Sequence, residues 1–547
     1  SALHLTASTL ALRAPDVTFR LMHLWNLPLG GPHHRLGSIE FLRDFQIPIT
    51  TDLFGASVAP GQVTATGDLR QHHASLPDLD VCVMNPPFTR SVGGNLLFGS
   101  LPDAERHAMQ RDLAKLLQRP NIYASGTAGL GSVFVATGDL HLKPGGRMAL
   151  VLPKALLSGV AWQETRRLFR LRYQLEYLIV SHDPDRWNFS ENTNLSEVLV
   201  VARKVDDPHR PAPLTGNVVC LNLWKNPATA VEALSIAHAI TGGKAPDIES
   251  GQGALEVMLG EAKFGEAVSV PWASISDSSW MPPCAFAQSD LVRAAHHLSN
   301  EEVFVPGKGV VGSAPLIPLQ QLGTFGPDRR RIVDGFQGRR TQRVTPYAAF
   351  WGHNAATMTM MAQKANAYLS PLPHPLAGHA PGYANVLWRR AGSLLLAERL
   401  RLNTQRLMAV RLATKVLSNV WWPFALLEDD VGQEKALTLW LNSTLAIISR
   451  LAVREETEGA WVGFKQPVLG AMPVLNVRAL SSVQLQELVS AYDRLSQQPL
   501  LPFPQMAQDP TRRAIDEAIA HALGLPDFSI LRELLAQEPV VCLQPLA

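Results

Sequence analysis

Short apolar runs alternate with helical stretches through the first 205 residues, and this alternation restricts the fold more than any other feature of the chain. The runs are Asp80–Met84 (DVCVM), Arg147–Leu152 (RMALVL), Leu175–Val180 (LEYLIV) and Glu197–Ala202 (EVLVVA). Ala2–Leu12, Val133–Leu142 and Gln163–Arg172 carry helical patterning, and a turn is expected at Lys143-Pro-Gly-Gly146. Strands alternating with helices predict an α/β domain built on a mostly parallel sheet.

The rest of the chain reads differently. Residues 206–280 open on a polar connector, Asp206 to Pro213, then give a strand (Val218–Leu223) and a helix (Thr229–Ile240), an extension of the first domain. In 281–475 prolines and glycines recur, tryptophans stand singly or paired, and arginines cluster, which predicts a mixed α+β domain of short strands and loops with few helices. From 476 to 547 the chain turns helical, with amphipathic stretches at Val483–Leu495, Thr511–Leu523 and Ser529–Leu535.

One short motif carries chemistry. The run Asp80–Met84 leads directly into Asn85-Pro86-Pro87-Phe88, and strand C-terminal ends are where open α/β sheets bind ligands. Two prolines fix φ and remove two backbone donors, so carbonyls of such a turn can face a pocket. Asn85 supplies a carboxamide oxygen as acceptor and Phe88 a flat face on which a base can stack. The Asn85 oxygen and the Pro86 carbonyl can both accept from a primary aromatic amine and aim its lone pair at a methyl donor. A base in a duplex must first leave the stack.

A strand ending in Asn-Pro-Pro-Phe resembles the catalytic signature of amino-group DNA methyltransferases that use S-adenosylmethionine, in the form that points to adenine N6. Lys143–Gly146 with the strand 147–152 and Pro153, about 60 residues on, resembles the family's next core segment, and Phe189–Lys204 its closing strand pair. The resemblance implies a Rossmann-like sheet, S-adenosylmethionine as cofactor, and a site in which Asn85 and Pro86 bind the amino group and Phe88 stacks on a flipped adenine. Asp68 falls where the family often places an acidic cofactor contact; it equally suits a solvated turn. Arg90 can contact a phosphate or cap local carbonyls.

The family's Gly-rich cofactor loop is not found upstream of Asn85. Gly126-Thr-Ala-Gly129-Leu-Gly131 follows the motif instead, and is expected to be a flexible loop near the base pocket. The opening SALHLTASTLAL resembles the family helix after the second strand. The resemblance therefore implies that the first strands and the cofactor loop lie outside this sequence, on a tightly bound partner polypeptide or a separated segment.

Basic residues concentrate in 281–475: Arg329, Arg330 and Arg331, then Arg339, Arg340 and Arg343, then Arg389 and Arg390, then Arg399, Arg401, Arg406 and Arg411, with Arg454 and Lys465 further on. Arginine beside tryptophan suits phosphate contact and groove readout of double-stranded DNA; a solvated surface with local ion pairs is the competing reading. The region around Leu441–Thr444 and Trp461–Lys465 resembles target-recognition domains of type IIG restriction, BREX-like and DISARM-like enzymes.

Composition narrows the remaining classes. Hydrophobic residues make up 46%, charged residues 18%, and the formal net charge is only +2, so the chain is globular and any DNA-binding face must come from local clustering. The four cysteines lie far apart without a CxxC pair, which suggests reduced buried thiols in a cytoplasmic protein rather than a metal site. Adjacent histidines (His33-His34, His72-His73, His296-His297) lack further partners, and Met358, Met360 and Met361 read as packing. No run is long enough to span a membrane. The expected activity is N6-adenine methylation of duplex DNA in a restriction or phage-defence system, with further defence subunits as possible partners. The rivals are a non-catalytic DNA-binding subunit and a methyltransferase acting on RNA or a protein amide.

Overall fold

The computed structural model describes residues 27–546, apart from 28, 31–34, 44–45, 52–69, 90–95, 190–194, 206–214, 250, 339, 353, 375–377, 380–381 and 459–460. The apolar runs become strands of one sheet: β1 (Leu79–Met84), β2 (Leu142–Pro153), β3 (Tyr173–Ser181), β4 (Glu197–Lys204), β5 (Asn217–Leu223), β6 (Leu255–Leu259) and β7 (Ala262–Pro271). Their order is β6-β7-β5-β3-β4-β2-β1, so β1 lies at one edge among the described strands. The pairs β1/β2 and β3/β5 are parallel, whereas β5/β7 and β6/β7 are antiparallel, which makes a mixed sheet.

The turn expected at Lys143–Gly146 is instead an irregular start of β2. The register with β1 shifts between Leu79 and Val81, and Gly145 supplies the left-handed φ of +80° that such a bulge requires.

Two compact units divide the chain: residues 1–152, 160–175 and 200–214 form one, and 153–159, 176–199 and 215–547 the other. Strands β3 and β4 contribute residues to both. In the first unit, α1 (Asp103–Leu117) and α2 (Leu130–His141) bury Met109, Leu113, Val133 and Ala136 in a common core. Helix α2 packs closely on the sheet because Gly138 lacks a side chain; a Cβ there would lie 3.1 Å from the Cys82 sulfur and 3.0 Å from Met84 Cε. Helix α3 (Gln163–Arg172) follows.

The α2 end is tied down by a buried carboxylate. Asp139 accepts from the Tyr173 hydroxyl at 2.8 Å, pairs with Arg172, and lies 3.3 Å from Lys204 Nζ. Burial, and then the Asp139 charge, push the Tyr173 hydroxyl well above its ordinary pKa, so it stays a donor.

In the second unit, α4 (Ala230–Gly242) starts at a Thr229/Glu232 capping box and covers β5, β6 and β7 through Ile236 and Ile240. A second sheet follows, built on β8 (Gly323–Phe325), β9 (Ala348–Phe350), β10 (Gly392–Ala397), β12 (Ala409–Ser418) and β13 (Trp421–Leu426), ordered β8-β13-β10-β12-β9. The strand β11 (Arg399–Arg401) pairs with β15 (Trp461–Gly463), which pairs with β14 (Glu455–Glu458). The C-terminal helices expected from the periodicity are present as Ser482–Leu495, Pro510–Leu523 and Ser529–Gln537. Ser481 with Gln484 and Asp509 cap the first two, and Gly524, at φ +65°, ends the second.

Candidate catalytic turn and nucleic-acid groove

Strand β1 places Cys82 on a buried face and Val81 and Val83 on the opposite one, 59% and 76% exposed. It runs out into Asn85-Pro86-Pro87-Phe88. Neither proline has an N–H, and the Thr89 N–H donates to the Pro87 carbonyl at 3.1 Å, which closes a tight turn. Pro86 is buried, Phe88 half-buried and Asn85 exposed at the strand end.

The Gly126–Gly131 segment, expected to be flexible, forms a 3-10 turn (Gly126–Ala128) that feeds directly into α2. Ser125 caps it by accepting from Thr127 N at 3.3 Å. It lies beside the Asn85–Phe88 turn. The Leu130 N–H donates to Thr89 Oγ1 at 2.9 Å. Gly129, at φ +89°, comes so close that a Cβ would sit 2.0 Å from the Thr89 carbonyl oxygen. A Cβ on Gly131 would meet Trp162 at 3.1 Å and Pro86 at 3.9 Å. These glycines brace the turn. Asp68 and Arg90 lie outside the described residues.

In the second unit four separate segments converge on a groove of about 930 Å3. Arg329 and Arg330 come from the first turn of α5 (Arg329–Gly335), Glu398 and Arg399 from the junction of β10 and β11, Asn419, Val420 and Trp422 from the β12–β13 bend, and Trp461 and Lys465 from β15 and beyond. Arg399 lies over the exposed Trp461 ring at 5.1 Å, so the cation and the aromatic face form one surface. Trp422 is buried and anchored by its indole N–H on the Phe464 carbonyl at 2.9 Å.

Four of the sequence candidates, Arg329, Arg330, Arg399 and Lys465, thus meet in space. Arg331, Arg340, Arg389 and Arg390 are exposed but do not line the groove, and Arg390 donates to the Phe325 carbonyl at 2.8 Å. Arg339 is outside the described residues. Sequence reasoning missed Glu398 altogether, and it did not single out Trp422 and Trp461 as lining a common groove with the arginines.

Arg454, expected as a residue that can face DNA, is fully buried. It pairs with Glu456 at 2.5 Å, and Glu456 in turn meets Lys154 Nζ at 2.7 Å. Burial alone would push the Glu456 carboxyl up, but Arg454 and Lys154 outweigh it and hold it at about 2. Arg411 is likewise structural, bound to Glu434 at 3.0 Å.

Among the histidines, His297 stacks on Phe304 and contacts Glu302 at 2.7 Å, while burial and His297 push His296 down to about 4. No group of metal-binding side chains is found among the described residues. Cys82, Cys220 and Cys284 are buried free thiols, Met358 and Met361 are core residues, and no described helix is long and apolar enough to cross a membrane.

Neither a protein-family model nor a curated protein sequence matches the chain. Among solved structures it is similar to the type IIG restriction endonuclease BpuSI at 12% identity and TM-score 0.31, covering 85% of this chain and 54% of that one. It is similar to the DrdV–DNA complex at 8% identity and TM-score 0.30, covering 78% and 45%. It is also similar to the type I restriction enzyme EcoKI M protein at 18% identity and TM-score 0.20, covering 28% of each chain. The chain thus spans about half the length of BpuSI. At these values the likeness assigns neither a reaction nor a residue.

Proposed function

We propose that the chain belongs to a methyltransferase acting on adenine N6 in double-stranded DNA, as the self-marking activity of a restriction or phage-defence system. The observation that supports this most is the braced turn at the end of β1. Asn85 is exposed at a strand terminus, Phe88 is half-buried three residues on, and Gly129 and Leu130 hold the Thr89 backbone and hydroxyl beneath them.

In this reading the Asn85 carboxamide oxygen and the Pro86 carbonyl accept the two N–H bonds of a flipped adenine amino group, and Phe88 stacks on its ring. The contribution is positional: a fixed amine converts an encounter into an oriented attack. The basic groove of the second unit, with Arg329, Arg330, Arg399 and Lys465, holds duplex phosphates.

S-adenosylmethionine supplies an electrophilic methyl group when bound. The described residues fit only the acceptor side of such a site. Gly129 and Gly131 face Thr89, Trp162 and Pro86, and Gly126 faces Leu117, rather than an open cradle. Strands docked beside β1, on a partner polypeptide, would complete the cofactor side and a Rossmann-like sheet. The edge of β1, unpaired on one side among the described residues, also favours a second reading, in which this chain recognises DNA and contributes no turnover by itself.

The test is methyl transfer to duplex DNA by the purified full chain with whatever copurifies. Asn85→Ala is expected to lower transfer at adenine at least 100-fold, on the scale of losing a positioned polar group (about 3 kcal/mol), with DNA affinity intact. Transfer that survives Asn85→Ala, or appears in RNA or protein instead, refutes the proposal. DNA binding without transfer in the wild type leaves the second reading.

A further inference from the structure

The groove contains a carboxylate that phosphate binding does not explain. Of its two acidic residues, Asp328 is engaged as a helix cap, accepting from the Arg331 N–H at 2.8 Å. Glu398 is not: its side chain accepts no hydrogen bond and forms no ion pair among the described residues, although Lys465 and Arg399 act on it electrostatically. Its backbone, by contrast, is fixed on both sides. The Glu398 N–H donates to Val420 O at 3.4 Å and its carbonyl accepts from Phe464 N at 2.8 Å. The residue therefore sits at a set position between β10 and β11, half-buried, with Arg399 and Trp461 beside it.

A negative charge among four cations weakens their hold on phosphates, so an unpaired carboxylate there opposes backbone binding. An ionised carboxylate is acceptor-only. The groups it can recognise on nucleic acid are exocyclic amines, and glutamate accepts in this way from cytosine N4 at a base edge. The desolvation that accompanies half-burial strengthens discrimination against bases that present a carbonyl at the same place, since two acceptors would then face each other.

We propose that Glu398 is a base-reading residue that accepts a hydrogen bond from an exocyclic amino group, cytosine N4 or adenine N6, at one position of the duplex held in the groove. This rests on the DNA-binding reading of the groove. Arg329, Arg330, Arg399 and Lys465 then position the duplex, and Glu398 selects among sequences.

The experiment is selection from a pool of randomised duplex DNA by the full-length chain and its Glu398→Ala and Glu398→Gln variants, followed by sequencing. The wild type should enrich a motif in which one position prefers cytosine or adenine. Glu398→Ala should flatten that position alone, with a loss of discrimination of about 5- to 150-fold, while binding to non-selected DNA stays equal or rises. Glu398→Gln, which keeps the shape and one acceptor, should retain part of the preference and serves as the control for folding. A motif unchanged in Glu398→Ala, or loss of every position together in both variants, overturns the proposal. Wild-type protein that binds no duplex overturns the groove reading as well, and is distinguished by that absence of binding from failure of the Glu398 assignment alone.

Discussion

Replacing Glu456 by glutamine should unfold the second unit far more readily than any surface change of equal chemistry. The Glu456 carboxylate lies 2.7 Å from Lys154 Nζ and 2.5 Å from Arg454 Nη2, and all three side chains are at most 1% exposed. Glutamine keeps the volume and one acceptor but removes the charge, which leaves two buried cations facing each other without a counterion. Breaking a buried pair in this way costs about 3–5 kcal/mol. The exposed pair Lys415–Asp429, at 3.4 Å with side chains 53% and 82% exposed, is the internal comparison; Asp429→Asn should change stability by less than about 1 kcal/mol.

Thermal and urea unfolding of the full chain at pH 7 reads the difference, as a fall in midpoint of roughly 6–10 °C for Glu456→Gln at about 2 °C per kcal/mol. Replacing all three charges together, Lys154→Met, Arg454→Met and Glu456→Leu, should recover most of the loss, because burial of the charges themselves is then relieved. Because the folded-state pKa of Glu456 is depressed to about 2, its contribution is fully present above its ordinary value near 4.5 and is lost as pH falls from there towards 2. A Glu456→Gln shift of less than about 1 kcal/mol at pH 7 would refute the reasoning.

The opposite sign is expected at Glu538, whose carboxyl burial pushes up to about 7 despite accepting from Ala287 N at 3.1 Å and Gln288 N at 2.9 Å. Stability should therefore decline as pH rises from about 4.5 through 7, and Glu538→Gln should flatten that slope in a pH series of unfolding midpoints; an unchanged slope argues against it. Gly129→Ala places a Cβ 2.0 Å from the Thr89 carbonyl at φ +89°. It should cost at least about 1–2 kcal/mol and impair methyl transfer together with Asn85→Ala, and wild-type transfer rates in this variant would contradict the bracing role. Reversing charge at Arg329 and Lys465 should weaken duplex affinity and reduce the salt slope by about two, measured by titration at several salt concentrations; an unaltered slope removes the groove from the interface.

What was legible in the sequence was local. The run into Asn85-Pro86-Pro87-Phe88 needed only an apolar strand and two prolines, and Gln163–Arg172 appears as a helix over the span its pattern predicts. The groove was half legible. Arg329, Arg330, Arg399 and Lys465 announced themselves by charge, but Glu398 and Trp422 come from segments that only the pairing of β10 with β12 and β13 brings together. Arg454 misled for the complementary reason. The second cation on its counterion Glu456, Lys154, lies some 300 residues away, and no local pattern shows that both turn inward on Glu456.

Strand β1 raises a different physical question. Its Cys82 face is covered by α2, which closes in over Gly138, whereas Val81 and Val83 on the other face are 59% and 76% exposed. Parallel strands in α/β sheets are almost always covered on both faces, and full burial of a valine side chain is worth about 1.5–3 kcal/mol. A parallel strand that has no second neighbour among the described residues, with an exposed apolar face, is also a template for pairing with another chain. On the proposed reading, the exposed face and the side on which a methyl donor would bind lie at the same strand. An element that docked on β1 would bury Val81 and Val83 and bring new backbone to the end of the strand beside Asn85. Binding of such an element and of the methyl donor should accordingly be coupled rather than independent.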